Sequence, residues 1–222
     1  MEIVFVLFDR ITALDAIGPY EVLQRLPGAE VKFVGKERGE YRTDTKSLAL
    51  VADYALAEVP RPDILVMPGG FGTRELVDDR EVVDWVRAVH EHTTWTTSVC
   101  TGSLVLGAAG LLEGLDATTH WKELETLRKY GARPTPRRVV EQGKIITAAG
   151  VSSGIDMALT LVDRIMGDFA AQAIQLAIEY DPQPPFDAGS PAKAPGPLVD
   201  LVQELIGEGP ALPAASTTGG AR

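Results

Sequence analysis

The chain of 222 residues contains a single cysteine, and its neighbours are those of a reactive one. Ser98-Val99-Cys100-Thr101-Gly102 has the layout of a nucleophile elbow: small residue, any residue, nucleophile, any residue, glycine. The tight strand-to-helix turn needs small outer neighbours because the two backbones approach closely there. Such a turn would present Cys100 at the start of a helix, where unpaired N–H groups and the dipole favour a thiolate. That placement lowers a cysteine pKa from about 8.5 toward about 3.5–7.5. The ordinary alternative is a small core residue, since free cysteines are often buried.

Three other segments could complete the chemistry. Asp15 stands among Ile11, Ala13, Leu14, Ala16 and Ile17. A carboxyl there, close to a thiolate, is pushed toward its protonated form by desolvation and like-charge repulsion, which suits a general acid or proton shuttle. Its competing job is to cap the helix that follows. Gly69-Gly70 would let backbone N–H groups face a substrate as an oxyanion-type donor set, and is equally an ordinary strand-ending turn. Thr101 offers an N–H and a hydroxyl at the helix start. His120, within Thr118-Thr119-His120-Trp121, is a candidate base for Cys100 and equally a packed or capping histidine. His90 and His92, two apart on an expected helix, face different directions, and with one cysteine no metal site is expected. Glu21 reads as surface.

The elements that must position these residues follow from hydrophobic patterning. Residues 2–8 form a continuous apolar run of the kind buried on both faces of a parallel sheet. Residues 30–34, 63–67 and 95–99 are further strands, 117–120 a short one, and 48–54 a strand or hairpin arm in a less regular stretch. Gln142-Gly143 turns a hairpin between 138–141 and 144–148. Helical spacing marks 17–26 (opened by Gly18-Pro19), 79–91, 103–112, 122–130, 155–166, 169–180 and 198–206. Strands alternating with helices imply an α/β fold with a mostly parallel sheet and helices on both faces, a flavodoxin-like three-layer sandwich. In an open parallel sheet ligands bind outside the carboxyl ends of the strands. Asp15, Gly69-Gly70 and Cys100-Thr101 all follow such ends, so three separate loops converge on one edge.

Hydrophobic residues make up 45% of the chain, enough for one substantial core, and a single domain over 1–206 with a flexible tail over 207–222 is expected. The net charge of −10, with scattered basic residues, argues against nucleic acid as a partner. No leader-like start or bilayer-length apolar run is read. A lone cysteine suits a reducing cytoplasm.

At this point the sequence resembles the ThiJ/PfpI superfamily and, within it, the isocyanide hydratases. The stretches that carry the likeness are Leu14-Asp15 with Gly18-Pro19, Met67-Pro68-Gly69-Gly70, the elbow running on through Leu112, Ala117-Thr118-Thr119-His120-Trp121, Gly154-Ile155-Asp156, and residues 180–191. The resemblance implies a homodimer and a hydro-lyase-type reaction, R–N≡C plus water to an N-substituted formamide, with no cofactor. Cys100 matches the nucleophile, Asp15 its acidic partner and Thr101 the residue that follows. Val151, in a loop near the cysteine, would bring a backbone carbonyl to the sulfur.

The departures from the family pattern also inform. Peptidase members carry a histidine directly after the cysteine, where this chain has Thr101, so the protease reading weakens. The likeness extends to sensor domains of AraC-like regulators, which need a DNA-binding domain that the tail is too short to supply. Two alternatives to the hydratase therefore stand: another cofactor-free cysteine enzyme, glyoxalase-like, or a thiol-bearing sensor of oxidants or small ligands.

Overall fold

Beyond its first residue, the strand β1 (Glu2–Leu7) carries only apolar side chains, all of them buried. It has to lie inside a sheet covered on both faces. The computed structural model describes residues 1–205; the tail expected over 207–222 lies outside the described residues. Residues 1–182 form one compact unit, and the residues from Gln183 onward a second.

In chain order the first unit contains β1, α1 (Ala13–Leu23), β2 (Glu30–Gly35), β3 (Gly39–Arg42), β4 (Ala49–Ala52), β5 (Tyr54–Ala55) and β6 (Ile64–Met67). There follow α2 (Thr73–Leu76), α3 (Arg80–His90), β7 (Trp95–Val99), α4 (Gly102–Ala108) and β8 (Asp116–Ala117). A 3₁₀ segment (Trp121–Tyr130), β9 (Arg133–Pro134), β10 (Val139–Gln142), β11 (Ile145–Ala148), α5 (Ser153–Met166) and α6 (Asp168–Ala177) complete it. The second unit holds α7 (Gly196–Leu205) and a Lys193–Asp187 ion pair at 2.7 Å.

Seven strands form the main sheet in the order β10-β11-β7-β6-β1-β2-β5. All neighbours are parallel except β10 against β11. The central five, β2-β1-β6-β7-β11, have the flavodoxin-like 2-1-3-4-5 order, as expected. The β1–α1–β2 and β6–α3–β7 crossovers run in opposite directions across the sheet. With right-handed connections they place their helices on opposite faces. Thus α1 packs with α5 on one side and α3 with α4 on the other. The helices bury one stripe each: Val82, Val83, Val86 and Val89 on α3, and Met157, Ala158, Leu161 and Val162 on α5.

Three local differences from the sequence reading have physical reasons. Gly18-Pro19 lies inside α1 rather than opening it. These two residues are where α1 meets α5: a Cβ at Gly18 would stand 3.1 Å from Ile155, and one at Gly154 3.0 Å from Pro19. The helix expected over 103–112 stops at Ala108, since Gly110 turns into the left-handed region at φ +78°. Residues 39–42, not read as a strand, pair antiparallel with β4 as a hairpin. Their alternation is too short and polar to signal it.

Candidate active site

The elbow forms between β7 and α4. Cys100 adopts φ +55°, a conformation that costs a non-glycine residue on the order of 1–3 kcal/mol. Surrounding hydrogen bonds hold it there. Its N–H reaches the carbonyls of Ala148 (3.1 Å) and Ala149 (2.9 Å). Its carbonyl accepts from the Thr119 hydroxyl at 2.8 Å and the Ser103 hydroxyl at 3.2 Å. The small residue required after the nucleophile is explained by contact: a Cβ at Gly102 would stand 2.1 Å from the Met67 carbonyl oxygen.

The sulfur is nearly enclosed, with Cys100 5% exposed. The N–H groups of Val151 and Thr101 hydrogen-bond to it and favour the thiolate, yet burial outweighs them and pushes the thiol pKa up. The depressed pKa expected from the helix start is therefore corrected. The seven-residue α4 and two amides do not offset the loss of water around the sulfur. Val151 also approaches through its N–H rather than its carbonyl. It does so at φ +31°, a genuine outlier for a β-branched residue.

Asp15 is fully buried. It does not cap α1; the cap position is Thr12, and Asp15 lies in the first turn. Its Oδ2 accepts the Gly69 N–H at 2.9 Å, while Oδ1 is buried with no partner in the protein. Burial raises its pKa to about 7, against the pull of the Gly69 N–H and of a hydrogen bond with Cys100; the charge of Asp44 adds to the rise. The acid and the thiol are thus side by side, and each resists ionising. Like charges in so small a space cannot both be carried readily, so one proton stays with the pair near neutrality.

Gly69 and Gly70 are positioned differently from the donor set expected of them. The Gly69 N–H is committed to Asp15, and the Gly70 N–H to the Thr101 hydroxyl at 3.0 Å. Neither amide is left to face a substrate. Their need for glycine is steric. A Cβ at Gly69 would stand 2.5 Å from the Thr101 nitrogen and 2.8 Å from Asp15 Oδ2, and Gly70 adopts φ +143° with the Arg10 carbonyl 2.4 Å from its missing Cβ. Thr101 thereby joins the elbow to the Gly-Gly loop, its hydroxyl also meeting the Gly70 carbonyl at 3.2 Å.

His120 heads the 3₁₀ segment, its Nδ1 accepting the Lys122 N–H at 3.4 Å, and its ring packs against Gly150. Burial lowers its pKa. This is the capping arrangement, one residue away from the Thr119 hydroxyl that holds the elbow. Glu21 is exposed on α1 and paired with Arg25. Among the described residues no three His, Cys, Asp or Glu side chains converge as a metal ion requires. Sequence reasoning missed Asp44, which reaches the site from the loop between β3 and β4. It also missed the role of Thr119, whose place in the Thr-Thr-His-Trp run was the only signal.

The sequence model of the DJ-1/PfpI family matches residues 1–164. The chain is 44% identical over 200 residues to an isonitrile hydratase of Pseudomonas putida, covering 90% of this chain and 87% of that one. It is 29% identical over 141 residues to the HTH-type transcriptional regulator CdhR of Pseudomonas aeruginosa, 63% of this chain and 40% of the regulator. A crystal structure of a THiJ/PfpI family protein from Pseudomonas syringae superposes with a TM-score of 0.87 at 36% identity, covering 91% of this chain and 86% of that one.

Proposed function

The chain belongs to the DJ-1/PfpI family, and we propose that within it this protein is an isocyanide hydratase, with Cys100 as nucleophile and Asp15 as the acid. Identity to the isonitrile hydratase over nearly the whole of both chains supports the activity. The observation that carries the chemistry is the buried pair itself: Asp15 beside Cys100, one carboxyl oxygen held by Gly69 and the other without a protein partner.

The reaction uses the pair's single proton. Asp15 takes the Cys100 proton as the sulfur attacks the terminal carbon of R–N≡C, forming the C–S bond, and passes that proton to the same carbon. The product is a thioimidate, R–N=CH–S–Cys100, facing an Asp15 carboxylate. Water then adds, its oxygen to carbon, with the carboxylate relaying a proton to nitrogen. Collapse breaks the C–S bond and releases R–NH–CHO, the hydroxyl proton passing through Asp15 back to the sulfur. The Val151 and Thr101 N–H groups stabilise the sulfur anion at both ends of the cycle. Gly69, Gly70 and Thr101 hold the acid and the elbow in register; His120 supports the loop beneath.

Assay of formamide release from several alkyl and aryl isocyanides tests the reading. Wild-type protein is expected to turn over and Cys100→Ala to be inactive. No formamide from any isocyanide would sink the named activity, and faster lactate formation from methylglyoxal would select the glyoxalase-like alternative. The match to a transcriptional regulator keeps a sensing role as the second reading. It would be recognised by reversible modification of Cys100 without product.

The protein is also proposed to act as a cytoplasmic homodimer. Phe169 and Leu176, seven apart on one face of α6, are 83% and 78% exposed, an apolar pair that self-association would cover. A lone unpaired cysteine fits a reducing compartment. No described helix is long and apolar enough to cross a membrane.

A further inference from the structure

Asp44 comes from the loop joining β3 to β4, yet it ends against the segments that carry the acid. Its Oδ2 accepts the hydroxyl of Thr12 at 2.6 Å, three residues before Asp15 at the head of α1. Its Oδ1 accepts the N–H of Phe71 at 3.1 Å, two residues beyond the Gly69 amide that holds Asp15. Its own N–H donates to the Ile11 carbonyl at 3.1 Å, and Ile11 bridges both Thr43 and Gly70. The Thr12 N–H in turn reaches the Gly69 carbonyl at 2.9 Å. One carboxylate therefore ties together the two stretches that determine where Asp15 points. Both its oxygens are taken by donors; an asparagine there can keep both contacts, its amide oxygen accepting from Phe71 and its NH2 donating to the Thr12 oxygen, while it loses the charge.

We propose that Asp44 is a positioning residue for the hydration reaction: it clamps Thr12 to Phe71 so that Asp15 stays beside Cys100, and its negative charge adds to the burial that favours a protonated Asp15. The consequence for turnover rests on the hydratase reading; the action on Asp15 does not. The charged and titratable groups that bear on Asp15 are Cys100 from the elbow and Asp44 from the hairpin loop, and Asp44 acts in the direction of protonation. A carboxylate that merely stapled the hairpin would be replaceable by asparagine with no effect on Asp15.

The experiment compares wild type with Asp44→Asn and Asp44→Ala by two readouts. The first is the titration of the Asp15 carboxyl by ¹³C NMR on aspartate-labelled protein, the resonance being identified by its loss in Asp15→Asn. The second is isocyanide hydration across pH. In Asp44→Asn the Asp15 carboxyl is expected to titrate lower by about half a pH unit, since a like charge has been removed. The high-pH fall in kcat should move with it while KM stays nearly constant. Asp44→Ala also loses the clamp and should lower kcat roughly tenfold further. An unchanged Asp15 titration in Asp44→Asn overturns the proposal, even if Asp44→Ala fails to fold. A shifted titration with no formamide from wild type supports the link between Asp44 and Asp15 and sinks the hydratase reading instead.

Discussion

The starts of α1 and α3 each carry an aspartate, and the two behave in opposite ways. Asp79 caps α3, its Oδ1 accepting the N–H groups of Glu81 (3.1 Å) and Val82 (3.5 Å). The Lys36 ammonium lies 2.8 Å from its other oxygen. That pairing, with the cap bonds, holds the Asp79 carboxyl below the usual range. Asp15 has one N–H, no cation and no water-facing side, and its carboxyl is raised to about 7. The difference teaches that a helix start does not make an acid or a cap. Burial against a sulfur and a second carboxylate makes the acid; open backbone amides and a cation make the cap.

The contrast can be broken from either side. The largest effect is expected at Asp15: Asp15→Asn, which keeps size and loses the proton, should lower formamide turnover about 10²–10⁴-fold in steady-state assays. Asp79→Ala should leave turnover unchanged. The same Asp15→Asn substitution should raise stability at neutral pH. Folded Asp15 keeps its proton up to about pH 7, whereas the unfolded chain releases it near 3.8, so the wild type loses stability as pH rises across that window. At 1.36 kcal/mol per unit the loss is up to about 4 kcal/mol. Thermal melts of the two proteins should diverge at pH 8 and meet near pH 4.

Gly69→Ala sharpens the comparison without touching a charge. The added methyl has to displace the Thr101 amide or the Asp15 carboxyl, costing about 1–3 kcal/mol in denaturant unfolding. It should also weaken turnover, because the acid moves off the sulfur. The smallest effect is Asp79→Ala, with a loss of about 1 kcal/mol from the cap. The Asp79 carboxyl is depressed in the folded state. Its charge-dependent contribution is therefore present above the unfolded pKa and fades as pH falls through the folded one, and melts compared at pH 7 and pH 3 should show the mutational cost shrinking in acid.

Much of this molecule was legible from residue order. The apolar run of β1, the valine stripe of α3 and the alternation of strands with helices imply the flavodoxin-like sheet, because burial on a face or a stripe is written into local periodicity. The Ser98–Gly102 spacing located the elbow, since only small residues allow β7 and α4 to approach so closely. Asp15, Gly69 and Thr101 were found because they follow strand ends. Their contacts were not found: that Asp15 leaves the cap to Thr12, that the two glycine amides hold the acid and Thr101, and that Val151 meets the sulfur with its N–H.

Asp44, in a loop of polar residues, gave no local signal at all. Charge and proton affinity depend on what surrounds a group within a few ångströms, and those neighbours arrive from positions tens of residues away. Periodicity and spacing therefore determined the sheet and the turn that presents Cys100. Only the folding of three distant loops onto one edge decided which side chain holds the proton, and against what.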